Sequence, residues 1–564
     1  MKSKLFVCIS LSVFALTSCQ QIVPQPQPVI AAAPAVVKVK IIAFNDFHGN
    51  LRTPGNRVPI VDPAAPNGYR MEVAGGIEQF SALVKTLKAK NPNHAVVTAG
   101  DMIGATPLLS SLFNDEPTIE AMNLVGVDFH AVGNHEFDYG IAHLKRLVYG
   151  GCKPDKSGKP DCQGRAAYLG AKFQFLAANV DETATGKTLF PAYAIKEFEG
   201  IKVGFIGLVT RTTPSIVRPG GAAGVVFQDE ATAANAAIVQ LRKQGVEAFV
   251  VMIHEGGEQT GGINECVNFK GNLLPILDQF DPALNVVVSA HSHRYHVCER
   301  AGRLVTGAGS NGTLLTEIDL TLDRATGKII SRQALNLVVP PMGEKDPALT
   351  ELIRRYSVDA EPLENRIVAK ISKELSTVTN AVGESQLGNL VADAHLSGTS
   401  SPDTGGAVIA FNNPGSLRAP IIPNANGEVK YGDLFRLQPF GNDIAIMTLS
   451  GKQIKALLEQ QFGEDRQRIM GVSAGFRYTY DVKRAKGDRI LAETMKLNGA
   501  AIGAELQYRV AANSFLAGGS EGMTVFRDGT ERQVGMLDLE AVVGFLTANS
   551  PYTPPMVGRI TRLN

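Results

Sequence analysis

Five short clusters of Asp, His and Asn run through the first half of the 564-residue chain. They are Asp46-Phe47-His48, Gly100-Asp101, Gly133-Asn134-His135-Glu136, His254, and His291-Ser292-His293. Five of the ten histidines fall in these clusters, so imidazole is concentrated where carboxylates already stand. Carboxylates, imidazoles and an amide oxygen are the ligands that a pair of divalent ions takes. The set contains no thiolate, which excludes a structural zinc knot. Two such ions about 3.5–4 Å apart can activate a water and hold phosphoryl oxygens, with one carboxylate bridging them. A single D-x-H or H-x-H is a weak signal, but five clusters in a workable order are a specific one. The chemistry they point to is hydrolysis of a phosphate ester.

Such ligands have to be delivered to one place. VVKVKIIAF (Val36–Phe44) reads as a strand and ends just before Asp46. Short apolar runs at Ala95–Thr98, Phe129–Val132, Ala248–Ile253 and Asn285–Ser289 end in the same way on the other four clusters. Ile77, Phe80, Leu83, Val84 and Leu87 recur at helical spacing between the first two runs. An α/β domain carries its site at the carboxyl ends of its strands, and this pattern predicts one. Helical patterning returns over Asp346–Ser372, and a second segment richer in Gly and Pro follows.

NDFHGN, AGDMIGATP, GNHEFDYG, IHEGG and SAHSH resemble the motif series of the calcineurin-like metallophosphoesterases, in particular the branch of secreted 5′-nucleotidases and UDP-sugar hydrolases. The resemblance extends over nearly the whole mature chain. It implies an α/β (α+β) architecture: a four-layer β-sandwich flanked by helices over 36–335, a linker helix within 336–372, and a C-terminal α/β nucleotide-binding domain over 373–564. It implies Asp46, His48, Asp101 and His293 at a first metal and Asp101, Asn134, His254 and His291 at a second, with Asp101 bridging. The ions implied are Zn, Mn, Co or Fe. His135 is the implied transition-state residue, oriented by Asp138. Ala290 stands where the family often has Gly, a small departure.

GESQLGNLVADA, FNNPGSLRAP, YGDLFRLQPFGN and ANSFLAGGSEG resemble the substrate-binding half of the same family. Carried over, Phe440 and Phe515 clamp a base, Arg418 reaches phosphate, and Asn413, Asn442 and Glu521 are polar contacts. Three positions depart from the family pattern. Ala381 replaces an Arg three residues before Glu384, Glu521 replaces an Asp, and Ser416 replaces a Gly. The implied substrates are 5′-nucleoside monophosphates. A 2′,3′-cyclic phosphodiesterase, a nucleotide-sugar or dinucleotide pyrophosphatase and a sulfur-ester hydrolase remain open on the same scaffold. A binding protein with a vestigial metal site is the alternative from another class.

The termini and the composition set further bounds. Lys2, Lys4 and the apolar run Leu5–Leu16 read as an export leader, and Leu16-Thr17-Ser18-Cys19 reads as a bacterial lipobox. The expectation is lipidation at Cys19, with Gln20 pointing to the outer membrane of a bacterial envelope and residues 20–35 forming a Pro-rich tether. Four cysteines then remain, and the pairings expected are Cys152–Cys162 and Cys266–Cys298. Lys and Arg number 55 against 54 for Asp and Glu, so no global basic field draws a nucleic-acid polymer. The partner expected is a small nucleotide.

Overall fold

The computed structural model describes residues 35–66, 68–154, 160–161, 167–218, 220–463 and 467–564. Cys19 and Cys162 lie outside the described residues, as do the expected leader and nearly all of the tether.

Two six-stranded sheets build the N-terminal half. The first runs in the order Ile329–Val338, Leu314–Asp323, Val36–Phe44, His94–Thr98, Phe129–Ala131, Gln174–Leu176. The second runs Tyr193–Phe198, Ile201–Val209, Ala248–His254, Val286–Ser289, Arg303–Ala308, Tyr295–Arg300. Their alternating side chains explain the stacking. In Val36–Phe44, Val37, Val39, Ile41 and Ala43 point into one core with Phe205, Val250 and Met252 of the second sheet. Ile42 and Phe44 point the other way, onto Phe80, Val84 and Ile119 of the covering helices. On the far side, Ile206, Phe249 and Val251 meet Ile238, Leu241 and Leu273 of another helical layer. The result is helix, sheet, sheet, helix. Strands buried on both faces need largely apolar runs, which is why these five segments are legible in the sequence, although Val36–Phe44 keeps Lys38 exposed and Lys40 bonded to Asp319.

The central strands of each sheet are parallel: Val36–Phe44 with His94–Thr98, and Ile201–Val209 with Ala248–His254 and then Val286–Ser289. Parallel strands bring their carboxyl ends to one edge, and the five clusters sit along it.

An 18-residue helix, Pro347–Glu364, follows the first half, capped by the Asp346 side chain. Arg52 donates to Glu361 at 2.7 Å and to Ser357 at 2.6 Å on this helix. The strand Ile367–Lys370 comes next and pairs with Glu428–Lys430. The C-terminal half holds a five-stranded sheet in the order Gly471–Val472, Ile409–Asn412, Gln507–Asn513, Asp443–Ser450, Thr530–Leu537. Ile409–Asn412 and Gln507–Asn513 are parallel, and Asp443–Ser450 is antiparallel to the latter. The ends of the first two and the start of the third therefore share one edge. No helix of the described residues is long and apolar enough to cross a membrane.

Cys266 and Cys298 form a disulfide with Cα atoms 5.2 Å apart, tying the loop beyond His254 to the edge strand Tyr295–Arg300. It closes a sequence separation of 32 residues. Replacing both cysteines by Ala is expected to lower unfolding free energy by about 2–4 kcal/mol, measured by denaturant unfolding under oxidising conditions.

Candidate active site

Asp46 and His48 follow the strand Val36–Phe44, Asp101 follows His94–Thr98, and Asn134 follows Phe129–Ala131. His254 is the last residue of Ala248–His254, and His291 and His293 follow Val286–Ser289. These residues converge. Asp46, His48, Asp101 and His293 each offer a donor atom, all within 4.8 Å of one another. Asp101, His254 and His291 form a second such group, so Asp101 belongs to both. The Oδ1 of Asn134 lies 3.0 Å from Nε2 of His254.

The imidazoles are already turned for ligation. Nδ1 of His48 donates to the Gly104 carbonyl at 2.8 Å, and Nδ1 of His254 to the Ala99 carbonyl at 2.8 Å. Each bond fixes the tautomer and leaves Nε2 facing the cluster. Burial holds His48 down to about 3, and burial with the Arg418 charge holds His293 well below the usual range, so both imidazoles are neutral. Burial also pushes Asp46 up to about 7, against the pull of His254 and with the Asp101 charge adding to the rise. Burial would lift Asp101 too, but His254 and His135 hold it well below the ordinary carboxylate range. Two carboxylates buried this closely oppose each other's ionisation, and cations resolve that conflict. The donor set fits divalent metal ions.

Backbone geometry is strained at the same places. Asp46, His48, Asp101, His291 and His293 all have positive φ, between 47° and 67°. Non-glycine residues occupy that region at a cost of order 1–3 kcal/mol each, and such strain collects at functional sites. Two glycines make room for the ligands. A Cβ on Gly100 would meet Nδ1 of His254 at 2.4 Å, and one on Gly133 would meet Oδ1 of Asp101 at 2.2 Å.

Glu136 holds these loops, a role sequence reasoning missed although the residue stands inside the quoted motif. Its buried carboxylate accepts from the backbone N–H of Asp101 at 3.0 Å, of Met102 at 2.8 Å and of Gly133. One side chain thus ties the Asp101 loop to the Asn134 loop. Asn45 was missed as well. It donates to Oδ2 of Asp46 at 2.6 Å and to the Gly309 carbonyl at 2.7 Å.

His135 stands at the rim. Its Nδ1 lies 2.7 Å from Oδ2 of Asp138, and its backbone N–H donates to Oδ1 of Asp101 at 2.9 Å. Burial opposes a proton on His135, but the Asp138 and Asp101 carboxylates outweigh it and raise its affinity for one.

The C-terminal half faces this cluster across a cleft of about 1480 Å³. Asn413, Arg418, Phe440, Asn442, Phe515 and Glu521 all line it, together with Asn134, His135, His291 and His293. The Phe440 ring stacks on His135 with centroids 5.7 Å apart and planes 20° from parallel. Arg418 lies over Phe440 at 5.8 Å, and its Nη2 donates toward Nε2 of His48 at 3.3 Å. The polar candidates are linked: Asn413 donates to Glu521 at 3.0 Å and accepts from Asn513 at 3.0 Å. Asn513, the residue before the short helix Ser514–Ala517, also caps that helix. Asn442 accepts from Ser514 and donates to Asp538, both at 3.3 Å. From the N-terminal half, Arg218 donates to the Gly441 carbonyl at 3.1 Å. Ala381 is exposed and stands outside the cleft lining, while Glu384 is buried and accepts from Asn389 at 2.7 Å.

The model of the calcineurin-like phosphoesterases matches residues 39–295, and that of the 5′-nucleotidase C-terminal domain matches residues 367–528. The chain is 31% identical over 533 residues to endonuclease YhcR of Bacillus subtilis, covering 93% of this chain and 41% of that protein. It is 28% identical over 523 residues to the cell wall protein Lmo0130 of Listeria monocytogenes, covering 88% of this chain and 65% of that protein. It therefore spans less than two thirds of either relative. The crystal structure of a 5′-nucleotidase precursor from Thermus thermophilus superposes with a TM-score of 0.74 at 26% identity, covering 94% of this chain and all of that one.

Two outcomes follow from this geometry. Glu136→Ala strands several buried N–H groups, so it is expected to destabilise the fold by about 2–4 kcal/mol. It should also weaken metal affinity about 10–100-fold, read by denaturant unfolding and metal titration of the same preparation. Asp538 is buried, and burial lifts its carboxyl to about 7. A carboxyl raised in the folded state costs nothing while protonated below about pH 4, and its full penalty is present above about pH 7. Asp538→Asn should therefore gain melting temperature over the parent as pH rises from 5 to 8. Parallel melting curves that keep a constant gap would contradict that assignment.

Proposed function

Because the chain belongs to the calcineurin-like phosphoesterases, hydrolases acting on phosphoester bonds, and carries their 5′-nucleotidase C-terminal domain, we propose that it releases phosphate from nucleotides, 5′-nucleoside monophosphates foremost. The observation that carries this reading is the meeting of Arg418, Phe440 and His135 over the donor cluster. It puts an anion-binding fork, an aromatic face and a proton donor around one reacting position.

In this reading Asp46, His48, Asp101 and His293 hold one divalent ion, and Asp101, Asn134, His254 and His291 hold another. When bound, such ions polarise the phosphoryl oxygens and supply a nucleophile at neutral pH. The protein groups do the rest. Phe440 and Phe515 hold the base by stacking, worth about 1–3 kcal/mol per base. Arg418 offers paired N–H donors to the non-bridging oxygens and draws charge off them as it builds. His135 carries a proton toward the leaving oxygen, and Asp138 fixes its ring through Nδ1. Asn413, Asn442 and Glu521 provide polar contacts for the nucleoside.

A second reading rests on the size of the cleft. At about 1480 Å³ it exceeds the 300–1,000 Å³ usual for a small-ligand site. That favours larger nucleotides as additional substrates, with UDP-sugars and dinucleotides the candidates. The exported, lipid-anchored reading of residues 1–19 and the division at 335 and 373 belong to the same proposal. Mass measurement of the mature N-terminal peptide, lipidated or not at Cys19, tests the anchor.

The direct test is chromatographic product analysis of AMP, UMP, 2′,3′-cyclic AMP, UDP-glucose, NAD and a short single-stranded oligonucleotide, with and without chelator, with inorganic phosphate counted for the monophosphates. Chelator-sensitive release from the monophosphates is expected. His135→Ala should lower kcat by about 10²–10⁴-fold with a smaller change in KM, since general acid catalysis contributes on that scale. Full activity in both His135→Ala and Asp101→Asn, or silence across the panel in metal-replete protein, would sink the proposal.

A further inference from the structure

A second, smaller cavity lies behind the donor cluster. It measures about 180 Å³, room for on the order of six waters. His48, His293 and Arg418 belong to its lining, and His293, Arg418 and the exposed Asn56 also line the main cleft. Arg436, Asn50 and Asn311 complete it, with the small side chains of Ala105 and Ala419. The lining carries two guanidinium groups and no carboxylate.

Arg436 is the informative residue. It sits in the last turn of the helix Tyr431–Leu437, half-buried, and among the described residues it makes no hydrogen bond or ion pair. A backbone bond of 2.9 Å from Arg418 N–H to the Leu437 carbonyl brings the two arginines alongside. Asn50 is fixed by donation to the Phe47 and His48 carbonyls at 3.0 and 2.9 Å, and to Oδ1 of Asn311 at 3.1 Å. Asn311 in turn has a left-handed φ of 58° and donates its N–H to the Asp46 carbonyl at 2.7 Å. The cavity is thus built on the ligand loops themselves. An unpaired guanidinium beside a second one, with amide groups around them and no carboxylate in the lining, is chemistry for a compact anion.

We propose that this cavity is a binding site for inorganic phosphate, next to the reacting position and separate from it. The inference rests on the phosphate-releasing reading above. The nucleoside side of the reaction is the Phe440 and Phe515 side, so a freed phosphate has the back cavity on its other flank, across Arg418. Arg436 acts there as an anion contact. It also supplies a second positive charge beside Arg418.

The test is calorimetric titration of inorganic phosphate into the metal-loaded full mature chain, the parent beside Arg436→Ala, Arg436→Lys and Ala419→Asp, since Ala419 lines the small cavity and not the main cleft. Two phosphates per chain are expected for the parent. Arg436→Ala should remove one of them or weaken it by about tenfold or more, the scale of one charge-assisted hydrogen bond. Arg436→Lys should keep most of the binding, and Ala419→Asp should lose it by repulsion, while inhibition by adenosine moves less than twofold in all three. Phosphate stoichiometry and affinity unchanged in both Arg436→Ala and Ala419→Asp would overturn the inference. A changed KM for a nucleoside diphosphate with unchanged phosphate binding would overturn it too, by assigning the cavity to a distal phosphoryl group. If phosphate binding depends on Arg436 while the nucleotide panel is silent, the cavity assignment stands and the substrate reading falls.

Discussion

Asp46 and Asp101 are buried within ligand distance of each other, among four imidazoles. Left to themselves, two such carboxylates repel, and burial makes the repulsion worse. Much of the surrounding structure holds the chain in an arrangement it would otherwise leave. The Gly104 and Ala99 carbonyls pin His48 and His254. Asn45 pins Asp46, and Glu136 gathers the N–H groups behind Asp101. Five residues of the cluster sit in left-handed backbone. A rigid double sheet can impose that arrangement because its strands are fixed from both faces, by Val250 and Met252 on one side and Phe80 and Ile119 on the other.

Much of this was legible in the sequence, for a definite reason. A strand buried on both faces must be largely apolar, so Ala248–Ile253 and the Ile41–Phe44 end of the first strand announce themselves, and a polar residue at the end of such a run is conspicuous. Histidine type alone would have misled. His130, His296 and His395 are buried too, but they lie inside a strand, a strand and a helix, and serve the core. Position at a strand end, not residue type, separates His254 and His291 from them.

What stayed hidden depends on tertiary placement. Nothing local in Tyr431–Leu437 says that Arg436 opens onto the back of the ligand cluster. Nor does anything in Asp538, 96 residues from Asn442 along the chain, announce a contact with it. The left-handed φ values were equally unreadable, since Asp and His are not residues that local propensity sends there as glycine is sent. Family resemblance pointed to Phe440 and Phe515 as base contacts, but not to the Phe440 ring lying parallel to His135.

That ring pair gives the molecule the character of a coincidence detector. His135 belongs to the first half of the chain and Phe440 to the second, and Arg418 reaches across the same seam to His48. Neither half alone presents an aimed imidazole, an aromatic face and a guanidinium together. A stray ester meeting only the donor cluster would find the logic gate unsatisfied. Changes along the seam, such as loosening Arg218 from Gly441 beside Phe440 or Arg52 from Glu361, would then alter how the two halves meet. Sequence variation among such chains would be felt at the seam as well as at the ligands.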